Sequence, residues 1–158
     1  MEFKSRAVRS LVELHEVEMR RFLEVWHRFA AAGAPMPEAH GDTSYESRET
    51  LLGHGLMAAR GYLTRIGEWV GRPVTDVDSV TDARDVAVRA AQFADGIFAA
   101  YRRHLALITN EELEKQEHRT RWGELMSVEM LLEHAVVHPM RHRVQLERIL
   151  AEHEAAKH

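Results

Sequence analysis

The sequence predicts an all-α fold, a four-helix bundle. Apolar residues recur at three- and four-residue steps in four long segments. Stretches rich in Gly, Pro and polar residues separate them, and no alternating strand pattern is present. Four amphipathic segments joined by loops of roughly ten residues fit a bundle, either up-down or with a longer crossover. At 158 residues the chain suits a single domain spanning 1–158, with length enough for one sizeable core.

The first helix is expected from about Glu2 to Ala32, with Val8, Leu11, Met19, Phe22, Trp26 and Phe29 on its inward stripe. GAPMPEAHGD then breaks it with two glycines and two prolines. The second is expected from about Ser44 to Val70. Thr43 and Glu46 fit a capping box at its start, in which a hydroxyl accepts an orphan N–H and a glutamate reaches back. Its stripe is Leu51, Ala58, Tyr62, Ile66 and Trp69, and Gly71-Arg72-Pro73 ends it. The third runs from about Asp82 to Leu107 on Val86, Ala90, Phe93, Ile97 and Tyr101. A second capping box, Thr109 with Glu112, starts a short helix near Asn110. The fourth long helix is expected from about Gly123 to His153, with Val128, Leu131, Ala135, Gln145, Leu146 and Ile149 inward.

Charge and composition exclude several functions. With 21 basic and 25 acidic residues the net charge is -4, and Arg alternates with Glu along the chain. A nucleic-acid partner wants a basic footprint and is not expected. The absence of cysteine removes disulfides, thiolate nucleophiles and Cys-type zinc sites. No stretch approaches the ~18 apolar residues of a membrane span, and the first residues lack a signal-peptide core, so a cytoplasmic protein is expected.

The chain has 11 histidines, and their placement on the stripes is informative. His15, His54, His104, His134, His138 and His142 fall on inward faces, whereas His40, His118 and His158 fall in loops or at ends. Residues four apart on a helix are neighbours, so two successive members of His134, His138 and His142 are spaced to grip one ion. A bare His-x-x-x-His is a weak signal. It gains weight from its inward face and from His54 on another helix. Three neutral imidazoles leave a tetrahedral ion one open position, the ligand count of catalytic zinc. The competing reading is a set of hydrogen-bonded core histidines, which is the commoner fate of a single inward histidine such as His15 or His104. His134, His138 and His142 span two turns, too far for one small ion to reach all three; if His138 and His142 bind it, His134 either supports a ligand from behind or merely lines the pocket. Pro139 removes an N–H and crowds the Ala135 carbonyl, so a kink or π-type bulge is expected beside the pair. A carboxylate-bridged di-metal centre is disfavoured, because the one Glu-x-x-His motif, Glu24 to His27, lies off the stripe.

The helix ETLLGHGLMAARGYL and the segment EHAVVHPMRHRVQLERIL, with its His-x-x-x-His-Arg-x-Gln core, resemble the DinB/YfiT-like superfamily. The second motif is the more specific, and the resemblance extends over nearly the whole chain in helix order and length. It implies a four-helix bundle of DinB/YfiT type that holds a divalent ion, zinc or nickel, through one histidine of the second helix and two of the fourth. Matched residue by residue, those ligands are His54, His138 and His142. His134 matches a frequent upstream histidine that is not usually a ligand. Some relatives are thiol-S-transferases using mycothiol or bacillithiol, and others carry only the description of metal-dependent hydrolases. The resemblance therefore implies a metal-dependent enzyme acting on a small-molecule substrate, with water or a low-molecular-weight thiol as nucleophile. The DNA-damage association in the family's name concerns expression and implies no DNA binding.

Within that reading Gln145, close to His142, is placed to orient a ligand or bound water, and Arg141 or Arg143 to hold a substrate carboxylate. No carboxylate stands out as general base; His15 or His104 serves if either reaches the cavity. Two other readings stand beside it. One is a non-catalytic metal-binding stress-response protein whose ion ties two helices together. The other is a helical bundle that works through its partners, a homodimer among them, with its histidines merely packed.

Overall fold

The structure is a computed structural model that describes residues 2–80, 82–115, 117–120 and 122–157; His158 lies outside them. The fold is all-α save for one small hairpin. Four long helices, α1 (Arg6–Ala32), α2 (Arg48–Trp69), α3 (Ala83–Leu105) and α5 (Val128–Ala155), carry most of the chain. A short α4 (Asn110–Glu114) and a hairpin of β1 (His118–Arg119) and β2 (Leu125–Met126) lie between α3 and α5.

Each long helix begins where a side chain can satisfy an orphan N–H. Ser5 caps α1, Ser47 caps α2, Asp82 caps α3 and Ser127 caps α5. Each such cap contributes about 1 kcal/mol. These caps correct three expected boundaries. α1 starts at Arg6 because Lys4 N–H is already spent on the Ala106 carbonyl, which pins the preceding residues against the end of α3. α2 starts at Arg48, with Ser47 and Thr50 as its capping box; Thr43 to Tyr45 instead forms a single 3-10 turn capped by Asp42. α5 starts at Val128, since the residues before it form the hairpin, whose two-residue strands are too short to show alternation. The Thr109–Glu112 box forms as expected and opens α4.

Contacts fix the direction of each helix. Arg20 meets Asp95 and Glu16 meets Arg102, so α1 and α3 run oppositely. His54 meets His142 and Tyr62 meets His134, so α2 and α5 also run oppositely. Glu18 pairs with Arg143, and His153 lies 3.3 Å from the Ala32 carbonyl, so α1 and α5 run the same way. α2 and α3 therefore run the same way, so residues 70–82 make one long crossover, whereas the segment after α3 joins helices that run oppositely.

One continuous apolar core takes side chains from all four long helices. Val86, Ala90, Phe93, Ile97 and Tyr101 are all buried, as the α3 stripe predicts. On α2 the buried line is Leu52, Leu56, Ala59, Leu63 and Ile66. The expected residues Ala58, Tyr62 and Trp69 lie beside that line and are only half-buried. Gly55 permits the close approach of α2 to α1, because a Cβ there would sit 2.7 Å from Phe22 Cε1. At the corner between them Trp26 Nε1 donates to the Arg48 carbonyl and Arg48 donates to the Ala34 carbonyl, both at 2.8 Å. This corner sets the start of α2 and the 3-10 turn before it. Among the described residues, no helix is long and apolar enough to cross a membrane.

Candidate metal centre

α2 and α5 bring three imidazoles together. His54 comes from the second turn of α2, and His138 and His142 from successive turns of α5. Nε2 of His54 lies 3.0 Å from Nε2 of His138. The ring centroids are 4.9 Å apart for His54 and His138, 5.2 Å for His54 and His142, and 4.8 Å for His138 and His142. One ring nitrogen from each lies within 4.8 Å of the other two. His138 and His142 are buried and His54 is half-buried.

The electrostatics keep these rings neutral. Burial pushes His138 down to about 3, helped by His142, His54 and Arg141 nearby. Burial also lowers His142 to about 4, with His54 and Arg141 adding to the effect and Asp42 opposing it. His54 is lowered chiefly by burial, against the pull of Asp42. Neutral imidazole offers a lone pair, which is the ligand form.

The donor set fits one divalent ion. Two nitrogens bound at ~2.0–2.1 Å on a tetrahedral ion stand ~3.3 Å apart, close to the 3.0 Å between His54 and His138 and within the 4.8 Å that bounds the set. His142 Nε2 is buried without a hydrogen-bond partner among the described residues. Leaving such an atom unsatisfied costs free energy that a ligand recovers. His138 Nδ1 is buried and unpartnered too, so its ring carries an N–H without an acceptor whenever Nε2 is free of its proton.

A third element orients His142. The Tyr45 hydroxyl lies 3.4 Å from His142 Nδ1 and donates to Gln145 Oε1 at 3.1 Å. Its lone pairs stay available for an N–H on Nδ1, the tautomer that leaves Nε2 basic. Tyr45 sits on the 3-10 turn, where no hydrophobic period singles it out. The Asp-x-Ser that positions the turn, with Asp42 accepting from Ser44 N–H at 2.9 Å, is the local sequence signal for it.

The three histidines open onto a cavity of about 700 Å³. Tyr62, Trp69 and Trp122 give it aromatic walls, and Arg65, Arg141 and Asp42 are its charged residues. Trp69 is held flat against His118 of the hairpin, ring centroids 4.6 Å apart. Ala58, Tyr62 and Trp69 thus line the cavity from the same side of α2 as His54.

The other expected residues divide. His134 is exposed at the cavity rim, 5.5 Å from the Tyr62 ring, and lines the pocket without joining the cluster. His15 is fully buried but stacks on Tyr101 at 4.2 Å, away from the cavity. His104 does not face the core: Asp76 from the α2–α3 crossover holds it at 2.7 Å. Neither His15 nor His104 lines the cavity, so neither meets the condition for serving as base. Gln145 acts on Tyr45, and Arg143 is committed to Glu18 at 3.1 Å and Glu147 at 2.9 Å. Pro139 stands inside α5, which continues through it with no π-type bulge. The Glu18–Arg143 pair to α1, one turn after the proline, and the buried Val128, Leu131 and Leu146 on either side of it help to offset the lost hydrogen bond. Glu24 and His27 are exposed, and among the described residues no carboxylate joins the three histidines.

No protein-family model, no curated protein and no solved structure matches this chain.

Proposed function

We propose that the protein is a divalent-metal-dependent enzyme of DinB/YfiT-like four-helix-bundle type that activates water or a low-molecular-weight thiol against a small-molecule substrate. The single observation that carries the reading is the convergence of His54, His138 and His142 in the wall of a cavity large enough for a substrate. Three protein ligands with open space beside them suit a catalytic ion better than a structural one, which closes its fourth position with protein. That space favours an enzyme over a non-catalytic metal-binding protein. When bound, a zinc or nickel ion supplies Lewis acidity, which makes water or a thiol nucleophilic near neutral pH. The chain itself lacks cysteine, so a thiol comes from solution.

The protein's own residues do the rest. His54, His138 and His142 hold the ion with neutral nitrogens. Tyr45 and Gln145 keep His142 in its ligand tautomer. Tyr62, Trp69 and Trp122 give the approach to the ion aromatic walls. The order of four long helices, and the meeting of one histidine of α2 with two of α5, are the features of the fold that support the family reading.

The experiment is a comparison of ion-loaded and chelator-treated protein against a panel of electrophiles and esters, with bacillithiol, mycothiol or water as nucleophile. The expected result is turnover that requires the ion and is lost in His138→Ala. Inactivity of fully loaded protein toward every member supports a non-catalytic metal protein instead.

A further inference from the structure

We propose that the cavity beside the three histidines takes a small organic molecule with a flat apolar body and one carboxylate, and that Arg141 receives the carboxylate. This rests on the reading of the cavity as a substrate site and names the class of substrate.

Arg141 and Arg143 flank His142 on α5, and the structure separates their roles. Arg143 is occupied by Glu18 and Glu147. Arg65, the other cavity arginine, is held by Glu68 at 3.1 Å. Arg141 lines the cavity, and among the described residues no carboxylate lies within ion-pair distance of it. It stands close enough to lower the proton affinity of all three histidines. A guanidinium with both edges free is the side chain suited to bidentate recognition of a planar anion.

Charge and shape set the rest of the ligand. Arg65 and Arg141 against Asp42 leave the lining one net positive charge in a chain whose total is -4. Asp42 is itself committed to the Ser44 N–H and hydroxyl, at 2.9 and 2.6 Å. The planar fork of Arg141 matches a carboxylate, itself planar, through two parallel N–H···O bonds. Tyr62, Trp69 and Trp122 offer ring faces, and flat apolar groups stack on such surfaces.

The test is isothermal titration of phenylpropanoate and of its neutral amide, on chelator-treated and on zinc-loaded protein. Wild type, Arg141→Gln and Arg143→Gln are compared. Arg141 is exposed and makes no ion pair among the described residues, so its loss leaves folding intact, checked by the denaturation midpoint. The expected result on chelator-treated protein is acid bound about tenfold or more tighter than amide, a gap erased by Arg141→Gln and kept by Arg143→Gln. Equal affinity for acid and amide overturns the proposal. So does an Arg141→Gln variant that binds the acid as wild type does, with or without zinc, or the absence of acid binding at millimolar concentration. Because the chelator-treated arm needs no ion, failure of the metal site leaves this result readable by itself.

Discussion

The Tyr45 hydroxyl lies 3.4 Å from Nδ1 of His142, joining a turn before α2 to the middle of α5. Gln145 completes the link by accepting the tyrosine proton at 3.1 Å. The ring of His142 is thereby held by its outer nitrogen, while the inner one has no hydrogen-bond partner among the described residues. Tyr45→Phe keeps the ring and removes the hydroxyl. Zinc affinity is expected to fall about tenfold or more, measured by competition with a chromophoric chelator, with the denaturation midpoint nearly unchanged. Unchanged affinity contradicts a positioning role for Tyr45.

Gly55 is expected to be intolerant of even one methyl group. A Cβ there lies 2.7 Å from Phe22 Cε1, and Phe22 is fully buried with its ring 6.1 Å from that of His142. Gly55→Ala is expected to cost about 1–3 kcal/mol by overpacking, read from urea denaturation. Gly61 has nothing within 4 Å of its added Cβ, so Gly61→Ala is the control and is expected to be neutral or stabilising. Equal stability of the two variants contradicts this account of helix approach.

His15 makes the stability pH-dependent. Its ring is buried against Tyr101 with neither nitrogen hydrogen-bonded among the described residues, and burial lowers its pKa from 6.5 to about 3. Between those values the unfolded chain binds a proton that the native chain refuses. The stability is therefore full above pH 6.5 and declines as pH falls toward 3. His15→Leu removes this contribution. The difference between wild-type and variant unfolding free energies is expected to change by up to about 1.4 kcal/mol per pH unit in that window. Parallel curves contradict the assignment.

How much of this was legible in the sequence depended on contrast between faces. The stripe of α3 has one apolar side, and all five of its expected residues are buried. α2 has two apolar sides, one facing the core through Leu52, Leu56 and Leu63 and one facing the cavity through Ala58, Tyr62 and Trp69. Period alone cannot separate them, so cavity residues were expected in the core. The convergence of His54, His138 and His142 was legible because spacing on α5 and the family resemblance agreed. Tyr45 was not, since its role depends on a contact across 97 residues. His104 follows the α3 period yet turns outward, because Asp76 arrives from a crossover that carries no period.

The central claim is that three imidazoles from two helices share one divalent ion. The most direct test is the metal content of untagged protein, grown and purified without affinity resin, for wild type and for four single variants. The account predicts one divalent ion per chain in wild type. It predicts loss of that ion in His54→Ala, His138→Ala and His142→Ala, and retention in His134→Ala. An ion-free wild type that also fails to bind added zinc or nickel, or equal metal content across all four variants, contradicts it.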